Sequence, residues 1–159
     1  MTGDDLERID QALIGLRHLW SGPVHLQDAT LGRVEMSTVW IVNALTGPDR
    51  HAEHESMSIR DLATALGVAH STASRLVDRA VTIGAVARGP DAHDARLTVV
   101  TLTDSGRTLA ETAKGFRTGY LAHATRTWTA NERATCADLL TRLAHSVTAT
   151  PPEDLEEPR

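Results

Sequence analysis

Between residues 70 and 107 the chain gathers short hydrogen-bonding side chains and arginines in an order suited to a grooved polyanion. His70, Ser71, Thr72 and Ser74 come first, and Arg75 and Arg79 follow one helical turn apart. Small polar groups at a helix start can reach base edges, and arginine forks match guanine or phosphate bidentately. A helix presented N-terminus first to a major groove needs that arrangement. A plain helical hairpin with a solvated polar face would use the same residue types, so the helix pair alone leaves both readings open. Further along, Arg88 and Arg96 flank Gly89-Pro90-Asp91, a cluster that forms turns.

Other chemistry is thinly represented. His51-Ala52-Glu53-His54-Glu55, with Asp49 nearby, contains zinc-ligand types. Without a thiolate, two histidines three apart in a charged loop read as solvated side chains, and no metal or other cofactor is expected. The chain has no Gly-x-Ser-x-Gly elbow, phosphate-binding glycine loop or His-Glu-x-x-His helix, so an enzyme is not expected either. Cys136 falls on an apolar stripe with Leu140, Leu143 and Val147, where a thiol acts as a small hydrophobe. Arg133 is the one cation placed to activate it.

These side chains need elements to hold them. Leu6, Ile9, Leu13, Leu16 and Trp20 recur at spacings of 3, 4, 3 and 4, which predicts a helix over 4–20 with a narrow apolar stripe suited to another helix. Ser21-Gly22-Pro23 ends it. A second helix is predicted from Thr30 to Leu45, with Leu31, Val34, Thr38, Ile41, Val42 and Leu45 inward and Gly47-Pro48 as its stop. Residues 46–57 read as a loop. Ser58-Ile59-Arg60-Asp61 caps a third helix over 59–66, closed by Gly67. The fourth spans 70–83, with Ala73, Leu76, Val77 and Ala80 inward and Gly84 beyond its end. Val86–Arg88 and Leu97–Leu102 read as two strands. Thr103 caps a fifth helix reaching Trp128, with Leu109, Ala113, Phe116, Tyr120 and Ala124 on one stripe. Thr129-Ala130-Asn131-Glu132 is a capping box for a sixth helix to Val147. Residues 148–159, with three prolines and four acids, read as a disordered tail. A lone hairpin cannot stand as an independent sheet, so it must lean on the helices. The expected fold is mainly α, a winged helix-turn-helix with a small β-hairpin wing.

At 159 residues the chain has material for about one domain, and 41% apolar with 23% charged residues is an ordinary globular balance. The single cysteine excludes an internal disulfide. No run approaches the ~18 apolar residues of a membrane helix, and the acidic start lacks a signal peptide's basic and apolar segments, so a cytoplasmic location without membrane contact is expected. The net charge of −5 is unevenly spread. Residues 153–159 carry four acids against one arginine, whereas 58–107 carry six arginines against five aspartates. A locally basic centre is what bears on a polyanionic partner.

Asp94-Ala95-Arg96, followed by Leu102-Thr103-Asp104-Ser105-Gly106, resembles the wing signature of the MarR family of transcriptional regulators, Asp-x-Arg and then a strand ending in Leu-Thr-x-x-Gly. Ser71-Thr72-Ala73-Ser74-Arg75-Leu76-Val77-Asp78-Arg79, then Gly84-Ala85-Val86-Ala87-Arg88, is similar to that family's recognition helix and the turn after it. The resemblance covers about residues 5–147. It implies a homodimer, with 1–29 and 104–147 as a shared dimerisation region built from N- and C-terminal helices, and 30–103 as a DNA-binding winged helix. His70, Ser71, Thr72, Ser74, Arg75 and Arg79 would face a major groove of a pseudo-palindromic operator, with half-sites about one turn apart. Arg96 would reach the minor groove. Asp94 would hold nearby arginines or cap the turn, and Arg88 would brace the wing or touch phosphate. The commoner family role is repression relieved by a small aromatic or phenolic effector, here drawing on His18, Trp20, His25 and Trp40. Some members sense oxidants through cysteine, a role the surroundings of Cys136 do not favour.

The chain departs from the family pattern at Ala95, where a second arginine is usual, at Ala80-Val81-Thr82 and at the uncapped turn residue Ala69. Fewer phosphate contacts and a shallower salt dependence are the expected result. The competing reading is a helical dimer that binds proteins rather than DNA.

Overall fold

Residues 3–21, 25–47, 56–91, 94 and 96–150 are described by a computed structural model of the chain. The chain divides into two compact units, Met1–Phe116 and Arg117–Arg159. In order, the elements are α1 (Gly3–Ser21), β1 (His25–Asp28), β2 (Gly32–Glu35), α2 (Met36–Leu45), β3 (Ser56–Met57), α3 (Ile59–Leu66), α4 (His70–Thr82), β4 (Val86–Pro90), β5 (Thr98–Leu102), α5 (Asp104–Ala124) and α6 (Ala130–Ala149). The helix-turn-helix and the wing are where the sequence puts them.

The core of the first unit joins one buried face from each element around the helix-turn-helix. Ile41 and Leu45 of α2, Leu62 of α3, Val77 of α4, Val86 and Val100 of the wing strands and Leu109 of α5 are all fully enclosed. Ala73, Val77 and Ala80 turn the inner face of α4 toward it, so Ala80 is a packing residue. The narrow stripe of α1 is an exception, because Leu6, Ile9, Leu13 and Leu16 remain between 44% and 60% exposed.

The segment expected to start the second helix is a β-hairpin instead. β1 and β2 pair antiparallel, with Leu26 opposite Val34 and Asp28 opposite Gly32. The buried Asp28 carboxylate accepts the backbone N–H groups of Thr30 and Leu31 at 2.9 Å each, and Gly32 takes a left-handed φ of 70°. An aspartate that satisfies turn amides and a glycine at positive φ close a tight loop that a helix cannot contain. Leu26 and Val34 point into the core, so the apolar spacing that suggests a helix from Thr30 arises from a strand and a helix in succession. The second helix therefore begins at Met36. The expected boundary between residues 29 and 30 falls within the hairpin turn.

Two further boundaries move. Ser56–Met57, expected as loop, pairs with the far edge of β5 and completes a three-stranded sheet of order β3-β5-β4, with Met57 buried. The fifth helix stops at Ala124 rather than Trp128. There the Thr125 hydroxyl donates to the Leu121 carbonyl at 2.8 Å, and Arg133 donates to the carbonyls of Thr125 and Trp128. Carbonyls left over at a helix end are satisfied by such donors, and the turn then leads into the capping box of α6. The Thr129 hydroxyl accepts from the Glu132 N–H at 3.2 Å while Glu132 accepts from the Thr129 N–H at 2.6 Å. α6 continues to Ala149 and buries no residue in the chain. The metal-like cluster at 49–55 and the tail from 151 onward lie outside the described residues.

Candidate nucleic-acid interface

The helix-turn-helix is fixed at each corner by local hydrogen bonds. Ser58 Oγ accepts from the Asp61 N–H at 3.1 Å and starts α3. Gly67, at φ 62°, ends it with Gly67 N–H to Thr64 C=O at 3.1 Å and Val68 N–H to Ala63 C=O at 3.0 Å. This crossed pair of bonds needs the left-handed residue that glycine supplies. The same device closes α4. Gly84 has φ 82°, its N–H donates to Val81 C=O at 2.9 Å, and that of Ala85 donates to Ala80 C=O at 2.9 Å.

With Ala73, Val77 and Ala80 inward, α4 turns its other side to solvent. His70, Ser71, Arg75 and Arg79 are exposed, while Thr72 and Ser74 are half-buried. Ala69, at the N-cap, contributes no side-chain bond. Arg75 and Arg79 lie one turn apart, yet they differ in what holds them. Arg79 donates to Glu35 Oε2 at 3.4 Å, whereas Arg75 has no ion pair among the described residues.

The wing is tied to this helix. Arg88, two residues into β4, donates to Asp78 Oδ1 at 2.7 Å with its side chain about one-third exposed. Arg88 therefore braces the wing against α4. At the tip, Asp94 Oδ1 accepts the Arg96 N–H at 3.0 Å, and Asp91 Oδ1 accepts the Asp94 N–H at 3.1 Å. Two backbone bonds close the loop, Leu97 N–H to Asp94 C=O and Asp91 N–H to Leu97 C=O, each at 2.9 Å. Asp94 thus serves here as a turn cap. The Arg96 side chain stands exposed beside it.

The Leu102-Thr103-x-x-Gly106 signature acts as a joint. Thr103 Oγ1 accepts the Gly106 N–H at 3.0 Å, capping α5, and its hydroxyl lies 2.6 Å from the Gly84 carbonyl and 3.1 Å from that of Ala85. A Cβ on Gly106 would lie 2.0 Å from the Ala85 carbonyl oxygen. One side chain and one missing side chain hold the start of α5 against the turn that follows α4.

The sequence does not mark Glu35 or Asp78 as the carboxylates that hold Arg79 and Arg88. Arginines are read from sequence as reaching outward, and a partner 44 positions away leaves no local signal. Of the expected effector residues, Trp40 lies on α2 with its side chain exposed, and the side chains of His18, Trp20 and His25 fall outside the described residues. Cys136 is half-buried on α6. Among the described residues there is no metal-ligating cluster, and no helix is long and apolar enough to cross a membrane.

The model of the MarR family matches residues 49–97. No curated protein matches the chain. Among solved structures, the chain is similar to a MarR family protein from Bacillus stearothermophilus, at 18% identity and a TM-score of 0.69 over 93% of this chain and 99% of that one. It is also similar to the reduced form of MarR from E. coli, at 25% identity and a TM-score of 0.56 over 69% and 77% of the two chains. Bordetella bronchiseptica BpsR, whose DNA binding is regulated by 6-hydroxynicotinic acid, gives 20% identity and a TM-score of 0.53 over 89% and 97%.

Proposed function

We propose that the protein, whose residues 49–97 match the model of the MarR family, is a non-enzymatic, sequence-specific DNA-binding transcriptional regulator. The observation that carries this reading is the pairing of α4 with the wing. An exposed polar and cationic face is held by the Arg88–Asp78 bond at a set distance from a second cation, Arg96. A major-groove helix beside a minor-groove arginine is what reading one half-site requires. His70, Ser71, Thr72, Ser74 and Arg75 face base edges, Arg79 and Arg96 face the backbone and minor groove, and Arg88 and Asp94 keep the wing in place.

The protein acts in the cytoplasm as a homodimer, with 30–103 as the DNA-binding part and 1–29 with 104–147 as the dimerisation region. The uncovered apolar side chains of α1 and α6 support that division. Repression relieved by a small planar aromatic acid is the favoured mode. BpsR is regulated by such a compound, and Trp40 offers an exposed aromatic face for stacking. Such an effector would act by favouring a dimer whose recognition helices no longer match the half-sites.

Selection from a random duplex pool at stated salt tests the reading. The expected result is a two-fold-symmetric site with half-sites about one helical turn, roughly 34–36 Å, apart. A pool that returns no motif, with cell extract added as well as without, overturns it in favour of a protein-interaction module.

A further inference from the structure

Glu35 is the last residue of the hairpin and the N-cap position of α2, yet it makes no capping bond. Its carboxylate instead accepts the Ser37 hydroxyl at 3.3 Å and the Arg79 guanidinium at 3.4 Å. Arg79 shares the exposed face of α4 with Arg75, one turn away, so the carboxylate lies at the edge of the face that would meet DNA. Both partners are more than half exposed, 64% for Arg79 and 58% for Glu35. Water already screens the pair, so a phosphate can displace it.

We propose that Glu35 is a positioning residue that competes with the DNA backbone for Arg79, so that the carboxylate lowers the protein's affinity for duplex DNA. The inference rests on the DNA-binding reading above. A phosphate approaching Arg79 must break an existing ion pair and does so beside a second negative charge. In the unbound protein Arg79 is already partly neutralised, and fewer counterions are released when phosphate takes over. The β1–β2 hairpin supplies the competitor because its strand β2 ends on Glu35, and Leu26 and Val34 anchor that hairpin in the core.

The test is a double-mutant cycle on the full chain with the selected duplex and with a scrambled one, titrated across a salt series. Glu35→Gln should tighten binding to both duplexes about two- to fivefold, the range an exposed ion pair allows, and steepen the log–log salt slope by up to about one. In the Arg79→Ala background the same change should have no effect. Glu35→Ala should reproduce the Glu35→Gln result, and because Glu35 caps no amide neither change removes a helix cap. Unchanged affinity for Glu35→Gln overturns the inference. So does weaker binding, which would make Glu35 a support for Arg79, or an equal gain with and without Arg79, which would make it a direct repeller of phosphate. A wild-type chain that selects no duplex removes the proposed function and this inference with it, whereas a wild-type chain that binds its duplex isolates the failure to Glu35.

Discussion

Four arginines on the α4 and wing surface carry the same charge and sit in different circumstances. Arg88 is committed to Asp78 at 2.7 Å and Arg79 to Glu35 at 3.4 Å, while Arg75 and Arg96 have exposed side chains without an ion pair among the described residues. Arg88 shapes the surface, Arg75 and Arg96 are open to a ligand at once, and Arg79 becomes open when a phosphate displaces Glu35. Arg96→Ala should therefore weaken binding across sequences and lower the salt slope by about one, the effect of removing one backbone or minor-groove contact. Arg75→Ala should cost about 1–3 kcal/mol on the selected site and much less on a scrambled one, because a bidentate base contact carries discrimination. Fluorescence anisotropy with both duplexes separates these outcomes, and equal losses on the two duplexes would reassign Arg75 to phosphate. Asp78→Asn should act differently again. It releases Arg88 and loosens the wing, so affinity should fall most at the positions that the wing reads. The residue types at these sites were legible in the sequence. Which cations were already engaged was not, because ion-pair partners such as Glu35 and Arg79 meet only through the fold.

At the scale of elements, the clearest sequence signals were those whose physics is local. The capping residues Ser58 and Thr129 and the closing glycines Gly67 and Gly84 each act within a few residues of themselves and stand as read, and the strand expected over Leu97–Leu102 forms from Thr98 to Leu102. The hairpin over 25–35 was lost because Leu31, Val34 and Thr38 mimic a helical repeat. Asp28 and Gly32 were its available signals. A two-residue strand such as β3 has no signal of its own, since β5 defines it. The joint at Gly106 is local in sequence and long-range in effect. Gly106→Ala forces a Cβ to within 2.0 Å of a backbone oxygen that cannot swing away, so about 1–3 kcal/mol of overpacking strain is expected. Thermal unfolding would register the loss, and an unchanged midpoint would mean that α5 can shift freely from the α4–β4 turn. The start of α6 should depend on pH. Glu132 is held below the ordinary carboxylate range, first by the Thr129 backbone N–H and then by the Thr129 hydroxyl. A depressed carboxylate stabilises the folded form above its unfolded pKa and loses that effect as pH falls through the folded value. The protection of the amides at 129–133, taken relative to their intrinsic exchange rates at each pH, should accordingly fall on acidification through the carboxylate range. Glu132→Gln, which keeps the reciprocal bond without the charge, should flatten that dependence.

For the whole molecule the informative surface is the apolar one that the chain leaves uncovered. In the first unit, α1 exposes Leu6, Ile9, Leu13 and Leu16 on one stripe. In the second, α6 exposes Leu139, Leu140 and Val147 and buries nothing. α5 changes character along its length, from Leu109 and Ala113 in the core to exposed Phe116 and Tyr120. Isolated apolar side chains on a surface need no explanation, but helical stripes of them mark an interface. A second copy of the chain is the simplest partner, since a two-fold axis lets each stripe be used twice and matches a palindromic duplex. Each leucine buried in such an interface contributes about 1.5–3 kcal/mol. Leu13 and Leu140 are already about half covered in the single chain, so roughly half of this is gained at each; symmetry doubles it, and loss of one position should weaken dimerisation roughly 10- to 10²-fold. Leu13→Glu and Leu140→Glu should each give a folded monomer by sedimentation velocity at micromolar concentration, with an intact helical circular dichroism spectrum. Both should also lose the palindromic site while keeping weak binding to a single half-site, because α4 and the wing belong to one protomer. A variant that dissociates yet still protects the full palindrome would show that the two half-sites are read independently.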